Sequence, residues 1–85
     1  MPTILLTDSF RSDFDTLTGI EQKQARKAIR LLAKDPKDPS LQIHKVRGTV
    51  FWEAYVNMDI RLIFEHGNDT LVLHAIGHPD KLRKL

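Results

Sequence analysis

The sequence predicts a small α+β domain: two N-terminal helices packed on one face of an antiparallel β-sheet, in the order β-α-α-β-β-β. Three observations carry this. Apolar residues recur at helical spacing between Phe10 and Leu32. After "DPKDPS" (Asp35 to Ser40) the apolar period changes from 3.6 to 2. Three alternating runs then follow one another across short turn signals, as in an antiparallel meander.

At 85 residues, 41% hydrophobic and 28% charged, the chain fits one domain covering 1–85. A core of this size buries about two-thirds or less of the unfolded surface, so the stability margin is thin. There is no cysteine, which excludes disulfides and thiolate metal sites and suits a reducing cytoplasm. No apolar run approaches the ~20 residues that span a bilayer, and "MPTILL" is too short for a signal sequence. A chain made without processing in the cytoplasm is expected. The net charge of +2 permits a polyanionic partner without demanding one.

"TILLT" (Thr3 to Thr7) is a β-type run expected to join the sheet edge. Asp8 or Ser9 offers an N-cap, and Phe10, Phe14 and Leu17 form the stripe of a first short helix. Gly19 stands at a plausible C′ position after it. "IEQKQARKAIRLLAKD" (Ile20 to Asp35) lacks Gly and Pro and places Ala25, Ala28, Ile29 and Leu32 on one face. Lys23, Lys27, Arg30 and Lys34 fall on another. Pro36 and Pro39 stop the helix. "LQIHKVRG" then reads as a strand ending at Gly48, followed by "TVFWEAYVN", "IRLIFE" and "TLVLHAI". The expected core contains Phe10, Phe14, Ala25, Ile29, Leu32, Trp52, Ala54, Leu62, Phe64, Leu71 and Leu73.

Register follows from keeping apolar residues on one face. A three-residue loop, Asn57-Met58-Asp59, sets Val56 against Ile60, Ala54 against Leu62 and Trp52 against Phe64. A two-residue Gly67-Asn68 turn sets Phe64 against Leu71 and Leu62 against Leu73. The opposite face then carries Tyr55, Arg61 and His74 as one cross-strand row, with Glu53 in the next. A guanidinium holds phosphate, an imidazole carries protons near neutral pH, and a phenol stacks on a base. Those groups suit gripping or cutting RNA. They equally suit the solvated face of a half-exposed sheet.

The whole chain resembles the RelE/ParE superfamily of bacterial type II toxins. The resemblance rests on Phe51-Trp52, on "VNMDIRLIF" (Val56 to Phe64) and on "LVLHAIGH" (Leu71 to His78). It implies a toxin with a cognate antitoxin. Its leading implication is a ribosome-dependent mRNA interferase, in which the 2′-hydroxyl attacks the adjacent phosphorus without a metal. Arg61 matches the strand arginine that binds RNA phosphate. The chain departs from the pattern at Pro79, in lacking a tyrosine in "DKLRKL", and in carrying Glu53 and Tyr55 where cations are frequent. His78, His74 or Glu53 would then take the acid–base roles, with Tyr55 stacking on or orienting a base. The superfamily also contains inhibitors of DNA gyrase and degenerate members, which are the alternative readings.

Lys23, Lys27 and Arg30, with Lys45 and Arg47 of "HKVRG" and Lys81 of "KLRK", are the candidate RNA-binding cations. A solvated helix face and a frayed basic tail are the plainer readings of those runs. His74 and His78 stand four apart on a strand, a spacing that does not pair them as a helix would. No metal or cofactor is expected, and the expected partners are an antitoxin, the ribosome and mRNA, or gyrase in the alternative.

Overall fold

The computed structural model describes residues 1–82. The elements are β1 (Thr3–Leu6), α1 (Asp8–Asp15), α2 (Gly19–Lys34), a 3-10 turn (Pro39–Leu41), β2 (His44–Lys45), β3 (Trp52–Tyr55), β4 (Arg61–Gly67), β5 (Thr70–Gly77) and α3 (Pro79–Leu82). The strands form one sheet in the order β1-β5-β4-β3-β2. The meander is antiparallel as expected, and β1 adds to its edge in parallel, with Ile4 opposite Leu71 and Leu6 opposite Leu73. No helix among the described residues is long and apolar enough to cross a membrane.

Local chemistry sets the helix ends one step away from the sequence reading. Thr7, not Asp8 or Ser9, caps α1: its hydroxyl accepts from the Phe10 amide at 3.0 Å. Gly19 opens α2 rather than closing α1. Thr18 and Glu21 form a reciprocal capping box there, the stronger signal at that junction. Asp38 caps the 3-10 turn. The Ser40 hydroxyl and amide hold its carboxyl below the usual carboxylate range. That cap therefore contributes at neutral pH and is lost as pH falls through the lowered pKa.

Both long helices contribute to one core. Phe10, Ala25, Ala28 and Leu32 pack with Ala54, Ile60, Leu62, Phe64, Leu71, Leu73 and Ile76. Phe14, Ile29 and Trp52 are half-buried around it. Leu41, from the 3-10 turn, fills the end that "LQIHKVRG" was expected to cover as a strand. β2 keeps only two residues of that run, and Val50 is exposed outside β3.

The β3–β4 register is the expected one: Trp52 faces Phe64, Ala54 faces Leu62, and the Val56 amide donates to the Ile60 carbonyl at 2.9 Å. The β4–β5 register is not. The turn is Asn68-Asp69, with Gly67 opposite Thr70 and the positive φ of 55° on Asp69. A bulge then intervenes: Phe64 pairs with Leu73 but Ile63 pairs with Ala75, so His74 is the extra residue. Strict alternation would bury Ala75 and expose Ile76. The bulge instead puts Ile76 in the main core, and Ala75 joins Ile63 and Leu82 on the other face. A larger apolar side chain in the larger core is the physical gain.

Polar groups from α1 hold the bulged strand. The Thr7 hydroxyl lies 3.2 Å from the Leu73 carbonyl and 3.3 Å from that of His74. Asp13 accepts from the Ile76 amide at 3.2 Å and pairs with Lys81 of α3 at 2.8 Å. Asp13→Ala leaves the buried Ile76 N–H without its acceptor and is expected to destabilise by about 1–3 kcal/mol in urea unfolding. Asp13→Asn, which keeps an acceptor oxygen, should recover part of the loss. Equal stability of all three proteins would contradict this assignment.

Candidate active site

The face of the sheet away from the long helices carries the polar side chains. Cross-strand pairing arranges them in rows. One runs Tyr55–Arg61–Gly77 across β3, β4 and β5. The next runs His44–Glu53–Ile63–Ala75 across β2 to β5.

Arg61 is the most constrained member. Its guanidinium carbon sits 3.5 Å from the Tyr55 ring centroid, a close stacked cation–π contact. Its Nη1 donates to the carbonyls of Asn57 at 2.7 Å and Met58 at 2.8 Å, with Ile60 at 3.3 Å. The side chain is only 12% exposed. The same loop is tied from within, because Asn57 Oδ1 accepts from the amides of Asp59 and Ile60 at 2.7 and 2.8 Å. Asn57 Nδ2 then donates to Gln24 of α2 at 2.7 Å. The cation is thus fixed before any ligand arrives, and Nε points toward Glu53 Oε1 at 3.9 Å.

Glu53 joins this cation to an imidazole. Its Oε1 lies 3.3 Å from His44 Nε2. The other ring nitrogen, Nδ1, is 3.0 Å from the Gln42 carbonyl. His44 therefore faces an acceptor on each side. The left-handed backbone of Gln42, φ 45°, turns its carbonyl into place. His44 was not singled out in the sequence. The signal that finds it is strand pairing: once β2 is set against β3, His44 is opposite Glu53.

His74 is a correction to the expected row. The bulge removes it from Arg61 and gives Arg61 Gly77 as its partner. His74 instead bonds Glu65 at 3.0 Å and packs its ring 4.9 Å from that of Phe51. His78 follows Gly77 at the strand end and is exposed, and its carbonyl accepts the Lys81 and Leu82 amides that begin α3. It thus lies one residue beyond the Arg61 row.

The expected cations divide in the same way. Lys27 lines a groove between α2, the 3-10 turn and β3 that includes Tyr55. Lys23 and Arg30 are exposed on α2, and Arg47 is exposed between β2 and β3. Lys45 pairs with Trp52 on the helix-covered face, where its ammonium lies over the indole. Lys81 is engaged by Asp13. Arg83 and Lys84 of the basic tail lie outside the described residues. No group of three or more His, Asp or Glu that could hold a metal occurs among the described residues. His44 and Glu53 offer two donors without a third, so no metal centre is assigned.

Comparisons with known proteins agree with this architecture. No protein-family model and no curated protein sequence matches the chain. Among solved structures, a copper-bound mutant of a toxin from Helicobacter pylori aligns at 31% identity and TM-score 0.80, covering 96% of this chain and 99% of the other. A metal-bound form of a Helicobacter pylori toxin aligns at 27% identity and TM-score 0.83, with the same coverage. The fold is also that of the RelB–RelE antitoxin–toxin complex from Methanococcus jannaschii, at 17% identity, TM-score 0.76 and 94% and 95% coverage. A fold shared over nearly the full length of both chains, at 31% identity, identifies the chain as a toxin of the RelE/ParE superfamily of type II toxin–antitoxin systems.

Proposed function

We propose that the chain is a ribosome-dependent mRNA interferase, acting in the cytoplasm and neutralised by a cognate antitoxin. The observation that carries this is the fixed Arg61 guanidinium beside the Glu53–His44 pair. In-line cleavage of RNA asks for a base, a leaving-group acid and positive charge at the phosphate. Arg61 supplies the charge without reorganising, because its loop contacts and Tyr55 already hold it. Glu53 accepts the proton of the 2′-hydroxyl, and His44 on its Oε1 steadies the carboxylate. The 2′-oxygen attacks phosphorus, the bond from phosphorus to the 5′-oxygen breaks, and His78 returns a proton to that oxygen. The products are a 2′,3′-cyclic phosphate and a 5′-hydroxyl. No step requires a metal.

Lys27, which shares a groove with Tyr55, and the exposed Lys23, Arg30 and Arg47 would contact further phosphates, in mRNA or rRNA. His74, bonded to Glu65, is left outside the reaction. An antitoxin partner is proposed because related folds are solved as the DinJ–YafQ and RelB–RelE complexes. The gyrase alternative has no comparable support in this geometry.

In a translating extract, Arg61→Ala is expected to reduce mRNA cleavage about 10²–10³-fold, the scale of losing one preorganised charge-stabilising group. Equal cleavage by Arg61→Ala and wild type, or none by wild type, contradicts the reading. Glu53→Gln should lower the cleavage rate about 10²-fold or more. His74→Gln should leave the rate within a few-fold. A large loss there and none at Glu53 would reverse the assignment of roles.

A further inference from the structure

We propose that the cleft between α3 and the β2–β3 segment is a nucleobase pocket for the substrate strand, selective for bases that carry an exocyclic amino group. The inference rests on RNA being the substrate. Val46, Phe51, Ile63, Pro79 and Leu82 wall a cleft of about 240 Å³, and Glu53 reaches into the same cleft. That volume lies below the roughly 300–1,000 Å³ of pockets for drug-sized ligands, so it admits one ring system rather than a chain.

The walls have the chemistry of a stacking site. Phe51 is half-buried and its ring is held from one side by His74, at 4.9 Å. Ile63, Ala75 and Leu82 form the small apolar cluster beneath. Thr49 and Glu53 are its polar lining; the Thr49 hydroxyl is engaged by the Val46 carbonyl and the Phe51 amide, which leaves the carboxylate to meet a ligand. Among the described residues, both contacts of Glu53 are made by Oε1, to His44 and Arg61. Oε2 is the oxygen available to accept from a ligand. Adenine, cytosine and guanine each present an amino group to a carboxylate, whereas uracil offers only its ring N3–H, flanked by two carbonyl oxygens that repel the carboxylate. Through Glu53 the cleft adjoins Arg61, the group that would hold the phosphate of the same nucleotide. A cation beside a carboxylate-rimmed apolar slot complements a nucleotide at both ends.

The test is a heteronuclear NMR titration of the whole protein with AMP, CMP, GMP and UMP in turn. It reads binding without the ribosome, so it stands or falls apart from any cleavage assay. Expected are shifts at Phe51, Ile63 and Leu82 with AMP, CMP and GMP, and about tenfold weaker binding of UMP. Glu53→Gln, whose amide both donates and accepts, should bring UMP level with the others. Phe51→Leu, which keeps apolar volume, should weaken all four. Shifts confined to α2, no shifts in the cleft with any nucleotide, or equal binding of all four by the wild type would overturn the proposal. Should Phe51→Leu fail to fold, the wild-type and Glu53→Gln titrations decide it.

Discussion

The fixing of Arg61 is the constraint on which the site depends. A guanidinium in a strand could wave into solvent, and most surface arginines do. Here Nη1 closes the β3–β4 loop by binding its carbonyls, and the Tyr55 ring lies against the guanidinium plane. The loop's amides are taken by Asn57, and Asn57 is tied to α2. The cation is therefore part of the fold and part of the candidate site at once. Side-chain entropy that phosphate binding would otherwise cost has already been lost in folding. A phosphate meeting Arg61 meets its remaining N–H groups in a set direction.

The two faces of the sheet divide the labour of a small chain. The helix-covered face supplies the main core, and α3 with Phe51 and Val46 builds a second, smaller cluster on the other. The bulge at His74 makes both possible. It sends Ile76 one way and Ala75 the other, and it leaves Gly77 opposite Arg61. The bulged strand is held by Thr7, the cap of α1, and by Asp13 in its last turn. Asp13 also engages Lys81, so the corner carrying His78 is fastened to α1 on both sides.

How far the sequence could be read follows from which signals are local. The three-residue loop was legible because only that register keeps Trp52, Ala54, Leu62 and Phe64 on one face, and Tyr55 with Arg61 came with it. The bulge was not legible. Strict alternation through "TLVLHAI" gives an acceptable apolar face, and only the burial of Ile76 in the main core makes the shifted register better. His74 was therefore placed beside Arg61 when it belongs beside Glu65. His44 escaped for a related reason: a two-residue strand has no period to detect, and its partner is set by the fold. Lys45 and Lys81 read as free cations because neither the indole under one nor the carboxylate on the other is near in sequence.

The end chemistry of cleaved mRNA tests the account most directly. A metal-independent cut with Glu53 as base and Arg61 at the phosphate must proceed through the 2′-oxygen. Fragments recovered from a translating extract should carry a 2′,3′-cyclic phosphate upstream of the cut and a 5′-hydroxyl downstream. Fragments ending in a 3′-hydroxyl and a 5′-phosphate, formed by the wild type and lost with Arg61→Ala, would show an attacking water instead and contradict the account.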